Sequence, residues 1–255
     1  LFGGSASTEV EASGGALGTQ ANKVAKDPRR YKRASLQVEG AGVVQEIASA
    51  SAQYRGETFS VVDLSHTGIA LLRTRGDSKV EPSPAGGPPE PMTITLGMFE
   101  PKSIQAQPVR SSDRVLAFEL VSVPTDARLL IDRFLDPKMI GLNMRTVDRS
   151  YFSSGETFSL WYCGPRDTNF FLWMSGSKLE RALLQLGDEQ YGLDHVAGVS
   201  RLVRAKTSGK KDDDGAPTRG VVLFALDVAL QIRDGGDAVA GLVKALTEAA
   251  ETATA

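Results

Sequence analysis

Two short groups of polar residues in the first third of the chain have the types and spacing of a ligand-binding site. Arg29 and Arg33 are separated by three residues, and Asp63, Ser65 and Gly68 follow after a gap of about thirty. An arginine guanidinium is planar and permanently charged, so it stacks on aromatic rings and binds phosphate oxygens. A carboxylate accepts hydrogen bonds from the N–H groups of a base. Together these groups suit a ligand that carries both phosphate and a purine.

Guanine offers atoms that match each of these groups. Its O6 and N7 accept hydrogen bonds from arginine, whereas its N1–H and amino group can donate to the carboxylate of Asp63. Ser65 adds a short donor and acceptor, and Gly68 permits positive φ and a close approach of the backbone to a planar ligand. We therefore expect the arginine motif, residues 29–33, to close over a ligand that is held by the aspartate motif, residues 63–68.

Three residues within the motifs have two open interpretations each. Arg30 could contact phosphate or face solvent, and Tyr31 could stack on a base or pack on the protein. His66 is the nearest titratable side chain to the proposed site, so it could contact the ligand or act as a pH switch, and the alternative is an exposed turn residue. The surrounding basic cluster, taken alone, is also typical of a solvated face. Its members are Lys23, Lys26, Arg29, Arg30, Lys32 and Arg33.

The two motifs together resemble the PilZ domain family. The family pattern is RxxxR followed by (D/N)xSxxG, and Arg29, Arg33, Asp63, Ser65 and Gly68 match it without substitution. The resemblance covers about residues 24–136 and implies a six-stranded antiparallel β-barrel with a closing helix. It also implies that the ligand is the bacterial second messenger cyclic di-GMP. The arginines would then clamp guanine and phosphate groups, and the aspartate motif would hold a guanine.

Short apolar runs separated by glycine and small polar residues predict a β-rich domain around the motifs. The strand-like runs are residues 34–38, 43–47, 58–62, 69–72, 92–96, 104–109 and 115–123. Five prolines and two glycines predict an exposed loop over residues 81–91. Helical spacing predicts a helix over residues 126–135, with Thr125 or Asp126 at its start and Pro137 limiting its end.

A second β-rich unit that ends in a helix is predicted for the rest of the chain. Its strand-like runs are residues 157–162, 169–174, 179–186 and 219–226, and the third of these could instead be a helix. Residues 206–218 indicate a loop, and residues 238–250 an amphipathic helix. The predicted organisation is a flexible tail at 1–22, a PilZ-like barrel at 23–138 and a β-rich domain with its terminal helix at 139–255.

A dense aromatic group lies in this second unit. Its members are Trp161, Tyr162, Phe170, Phe171 and Trp173. We expect them to form the core of the unit, and a groove for a partner protein is the alternative. Cys163 is expected to be buried among them as a small apolar residue.

Composition and charge limit the function classes. The chain has 255 residues, is 41% hydrophobic and carries a net charge of −2, which is typical of a soluble globular protein and not of a general nucleic-acid binder. No apolar run is long enough to span a membrane, and residues 1–18 lack the pattern of a signal peptide. The single cysteine cannot form an internal disulfide. These observations predict a cytoplasmic protein without membrane insertion.

No arrangement of nucleophile and base is visible, and the chain has two histidines and one cysteine. We therefore predict no catalytic residues, no metal site, no cofactor and no enzymatic activity. The predicted function is that of a cyclic di-GMP effector, which changes conformation on binding and signals to a downstream protein in motility or biofilm regulation. The alternative is a ligand-independent adaptor in motility, secretion or polysaccharide export.

Overall fold

The structure, a computed structural model, describes residues 34–36, 42–73, 80, 84–153, 155, 157–196, 199–205 and 217–253. In this part of the chain, six antiparallel strands close a barrel in the order β3-β2-β5-β6-β7-β4, and β1 adds to β3. The strands are β1 (Ala34–Ser35), β2 (Ala50–Tyr54), β3 (Glu57–Ser65), β4 (Gly68–Leu72), β5 (Glu90–Leu96), β6 (Lys102–Ser111) and β7 (Val115–Ser122). The predicted fold class, mainly β with a six-stranded antiparallel barrel, is confirmed.

Alternating side chains build the barrel interior. In β5, Met92, Ile94 and Leu96 are buried while the residues between them are more exposed, because successive side chains of a strand point to opposite faces. The loop predicted over residues 81–91 ends earlier than expected, since β5 begins at Glu90. Pro91 is tolerated inside β5 because the pairing with β2 ends at Met92.

A second antiparallel sheet follows the barrel. Among the described residues it has six strands in the order β13-β12-β11-β10-β9-β8. They are β8 (Arg145–Thr146), β9 (Leu160–Cys163), β10 (Thr168–Ser175), β11 (Lys178–Leu186), β12 (Glu189–Val196) and β13 (Val199–Arg204). The run at 179–186, for which strand and helix were both open, is a strand. The strand predicted from residue 157 begins only at Leu160.

The helices are α1 (Val43–Ala48), α2 (Thr125–Asn143), α3 (Arg219–Leu230) and α4 (Gly236–Thr252). The terminal helix predicted at 238–250 is confirmed as part of α4. Within the described residues, no helix has the length and apolar character needed to cross a bilayer.

Two runs predicted as strands, residues 43–47 and 219–226, are helical instead. In α1 the buried residues are Val43, Val44, Ile47 and Ala48, a helical spacing whose burial overrides the β preference of valine and isoleucine. In α3 most side chains are buried, so its apolar residues follow no period that separates a strand from a helix.

Helix α2 is longer than predicted and contributes to two hydrophobic cores. Its first half packs in the barrel with Ala127, Leu130, Ile131, Phe134 and Leu135. Ile140, in its second half, packs in the core between the second sheet and the other helices. Pro137 lies inside the helix although we expected it to end there. A helix-interior proline costs about 3 kcal/mol, and burial of the apolar residues beyond it offsets this, at about 1.5–3 kcal/mol for each large side chain.

Gly141 allows α2 and α3 to pack closely. A Cβ atom at this position would lie 2.2 Å from the carbonyl oxygen of Val228 and 2.7 Å from the Cβ of Gln231. We expect Gly141→Ala to lower the free energy of unfolding by about 1–3 kcal/mol, measured by urea denaturation, because the added methyl group forces the helices apart. Gly220→Ala in α3 is the matched control, since its new Cβ would be 3.7 Å from the nearest atom, Oγ1 of Thr218. Equal losses in both variants would contradict this explanation.

The side chain of Lys138 is fully buried where α2 meets α1 and α3. Its Nζ donates to Asp227 Oδ2 at 2.6 Å and to the carbonyl oxygen of Ile47 at 3.4 Å, and lies 3.8 Å from the centroid of the Phe134 ring. Oδ1 of Asp227 is buried without a hydrogen-bond partner among the described residues. Burial lowers the pKa of Lys138 and raises the pKa of Asp227, so each charge depends on the other.

The aromatic residues of the second sheet divide between its two faces. Tyr162 and Phe170 are buried in the core against the helices, as expected. Trp161, Phe171 and Trp173 lie on the opposite face and are half-buried. The expectation of a single aromatic core is therefore wrong for this outer face.

The outer aromatic face is covered in part by the connection that precedes β9. The ring of Phe158 contacts Trp161, Phe171 and Trp173, and the ring of Phe152 contacts Phe158. Cys163, which we expected to be buried, is exposed. It follows Trp161 by two positions on β9, so strand alternation places it on this same outer face.

Candidate functional site

The aspartate motif forms a β-hairpin. β3 ends at Ser65, His66 and Thr67 form the turn, and β4 begins at Gly68, which pairs with Ser65. The structure therefore brings the described residues of this motif together. Gly68 also pairs with Glu119 of β7, so it belongs to the barrel ladder, and the positive φ that we expected is not found at this position.

A β-bulge at Val62 controls the direction of Asp63. Before the bulge, Phe59 and Val61 are buried; the register shifts between Val61 and Asp63, and Leu64 is the next buried apolar residue. A bulge inserts one extra residue and so reverses which side chains point inward. Asp63 therefore lies on the outer side of the barrel, where its Oδ1 atom is buried from solvent.

Ser65 is buried and shapes the hairpin. Its Oγ donates to the carbonyl oxygen of Gly68 at 3.3 Å and accepts from the backbone N–H of Thr67 at 3.4 Å. A hydroxyl group has one donor and two acceptor positions, so these contacts leave one acceptor position. The predicted contact of Ser65 with a ligand stays a prediction, and the structure adds a role in positioning the turn.

His66 connects the hairpin to α2. Its Nε2 lies 3.2 Å from Oδ1 of Asp132, and the side chains are 42% and 47% exposed. A pair this exposed contributes at most about 1 kcal/mol to the free energy of unfolding. Its main effect is therefore to hold the turn of the hairpin against α2. Asp132 could not be predicted from the sequence, because no spacing rule links residues that only tertiary packing brings together.

Arg29, Arg30, Tyr31 and Arg33 lie outside the described residues, and their ligand contacts stay predictions. The residues that follow them form β1, in which Ala34 lies opposite Leu64 and Ser35 lies opposite Asp63.

β1 lies against the part of β3 that carries Asp63. β2 pairs with β3 only over residues 57–60, so β1 occupies the remaining part of that edge, beside Asp63. The described residues that directly follow the arginine motif in the sequence therefore pair beside Asp63 of the aspartate motif.

A separate concavity of about 440 Å³ lies beside the start of α4. Its lining includes Arg149, Ser159, Leu160, Met174, Gly176, Ser177, Gly235, Asp237 and Ala238. The described residues of the aspartate motif do not contribute to this lining, so the concavity is distinct from the predicted site.

No family model and no curated protein sequence matches the chain. Among solved structures, the uncharacterized Legionella protein Lpg0364 is similar over 42% of this chain and 96% of its own, with 14% identity and a TM-score of 0.27. The Borreliella burgdorferi PlzA protein in complex with c-di-GMP is similar over 71% of this chain and 86% of its own, with 13% identity and a TM-score of 0.21. TM-scores of this size do not establish a shared fold.

Proposed function

We propose that the chain is a receptor for cyclic di-GMP and not an enzyme that acts on it. The nucleotide would bind between the arginine motif and the hairpin of the aspartate motif. The observation that carries the proposal is the pairing of Ala34 with Leu64 and of Ser35 with Asp63, because Ala34 is the residue that directly follows the arginine motif in the sequence. The resemblance of both motifs to the PilZ pattern supports the same ligand.

The two arginines, Asp63 and Ser65 each have a role that fits the chemistry of the ligand. Cyclic di-GMP presents two guanines and two phosphates, so Arg33 and Arg29 can stack on a base and bind phosphate at the same time. Asp63 faces outward at the end of β3 and can accept hydrogen bonds from the N1–H and amino group of one guanine. Ser65 holds the turn on which that guanine would rest.

Signalling would follow from closure of the arginine motif. A segment that moves onto the ligand acts on β1, which is joined to it covalently and pairs with β3. The altered surface would then be recognised by a downstream protein, whose identity the proposal leaves open.

Calorimetric titration of the purified protein with cyclic di-GMP tests the proposal. We expect saturable binding with a dissociation constant on the order of 1 μM, equivalent to about −8 kcal/mol, no comparable heat with GTP, and intact nucleotide after incubation. Asp63→Asn should weaken binding by about 1.5–3 kcal/mol, since it replaces a charged acceptor.

Asp113→Asn is the matched control for this titration. Asp113 is exposed in the turn between β6 and β7, and Val115, two residues further on, pairs with Leu72, at the opposite end of β4 from Gly68. This variant should bind as the unmodified protein does. If the unmodified protein gives no heat at high micromolar nucleotide, the receptor function is wrong and the ligand-independent adaptor is favoured.

A further inference from the structure

Two aspartates on successive turns of α2 hold two different turns of the protein. Asp132 contacts His66 in the hairpin of the aspartate motif. Asp136 accepts a hydrogen bond from Nη1 of Arg166, which lies in the turn between β9 and β10. Residues four apart on a helix lie on the same face, about 6 Å apart along the axis. One face of α2 therefore contacts both the predicted ligand site and the second sheet.

The β9–β10 turn is fitted closely against the end of α2. Arg166 and Asp167 have positive φ values of 57° and 52°. Residues that carry a Cβ adopt this conformation only with support from their surroundings. Gly164 adds a second contact, since a Cβ atom there would lie 2.9 Å from Cγ of Met144. Movement of α2 must therefore move or distort this turn.

Inside the protein, α2 makes a parallel set of contacts. It packs against β1, which follows the arginine motif, and against β3, which carries Asp63. Toward the other end, Lys138 joins α3 through Asp227. Lys138 is six residues beyond Asp132, about 9 Å along one continuous helix. The exposed contacts of α2 thus connect the hairpin with the β9–β10 turn, and the buried contacts connect β1 and β3 with α3, which shares a core with the second sheet.

We infer that α2 transmits ligand binding at the hairpin to the second sheet, with Asp132 positioning the hairpin and Asp136 positioning the β9–β10 turn. The inference rests on the proposed function for the identity of the ligand. A ligand that repositions the hairpin or β1 acts on α2 directly, and the turn that carries Arg166 moves with the helix. The effect must be reciprocal, because coupling between two sites acts in both directions.

The two tryptophans of the chain provide the readout. They are Trp161 and Trp173, and they lie in β9 and β10, the strands that the Arg166 turn joins. A change in tryptophan emission on addition of cyclic di-GMP therefore reports on the second sheet and not on the barrel. Excitation at the long-wavelength edge of tryptophan absorption avoids absorption by guanine.

We expect cyclic di-GMP to change the tryptophan emission of the unmodified protein. Asp132→Ala should reduce this change, since the buried contacts of α2 with β1 and β3 remain, while calorimetry shows an affinity within about fivefold of the original, since the lost contact is half-exposed. Asp126→Ala is the matched control. It removes another aspartate of α2, which pairs with Lys102 of β6 at 3.0 Å, and should keep the full emission change.

Hydrogen exchange provides a second measurement that needs no nucleotide. In Arg166→Ala, the rate of amide exchange over residues 61–72 should rise by roughly twofold or more. In Asp126→Ala, the exchange rate of the same residues should stay near that of the unmodified protein. Nucleotide binding without an emission change, or unchanged exchange in Arg166→Ala, would overturn the inference. Absence of nucleotide binding would overturn the proposed function instead, and the exchange result alone would then decide whether α2 connects the two turns.

Discussion

Replacing Lys138 with methionine should lower the free energy of unfolding by about 3–5 kcal/mol. Methionine keeps most of the side-chain volume, so the loss comes chiefly from the charge of Asp227, which stays buried without its partner. Urea denaturation followed by circular dichroism measures the effect. The loss should shrink as the pH falls toward the ordinary carboxyl pKa of 3.8, because burial raises the pKa of Asp227 and protonation then removes the buried charge.

The double variant Lys138→Met, Asp227→Leu distinguishes the effect of the unpaired charge of Asp227 from the effect of altered packing at Lys138. Apolar residues of similar volume often replace a buried ion pair at no cost, or with a gain in stability. We therefore expect the double variant to be close to the unmodified protein or more stable. If it is as unstable as Lys138→Met alone, the contribution of Lys138 lies in its packing and not in its charge.

Replacing Arg33 with alanine should weaken binding of cyclic di-GMP by about 2–5 kcal/mol, if its guanidinium makes a desolvated contact with the ligand. The expectation rests on the RxxxR pattern and on the pairing of Ala34 and Ser35, which follow Arg33 in the sequence, with Leu64 and Asp63. Calorimetry at constant ionic strength measures the loss. Arg33→Lys should recover only part of the affinity, since lysine keeps the charge but lacks the planar, forked donor group.

Lys32→Ala is the matched control for the arginine motif. It removes one positive charge from the neighbouring position, outside the RxxxR pattern. Its effect should be small and should diminish with added salt, as expected for a screened surface charge. Unchanged affinity in both Arg29→Ala and Arg33→Ala would show that the assigned roles of the two arginines are wrong.

Strands with clear alternation were predictable from the sequence. Residues 92–96 and 115–123 were predicted as strands because they are short apolar, β-favouring runs; the first lies within β5, and β7 covers the second up to Ser122. The grouping of Asp63, Ser65 and Gly68 was also predictable, since a hairpin keeps residues that are close in sequence close in space.

Features set by tertiary packing were not predictable. The run at 43–47 has strand-like residues but becomes α1, because its neighbours in the folded protein bury a helical face. The contact of His66 with Asp132 depends on where α2 crosses the barrel, and Pro137 is accepted because the helix beyond it is buried. The bulge that turns Asp63 outward has no sequence signal that we recognised.

Helix α1 has a consequence for the order in which the chain can fold during synthesis. Its residues Val43 and Ile47 belong to the same core as Leu242 and Leu246 of α4, and Glu46 contacts Arg219 across 173 positions of sequence. These apolar side chains leave the ribosome long before the helices that cover them. Contacts between distant positions form slowly, and apolar surface that stays uncovered promotes aggregation. The N-terminal half therefore depends on the last helices to complete its burial, and a slow or interrupted synthesis would leave α1 exposed to other chains.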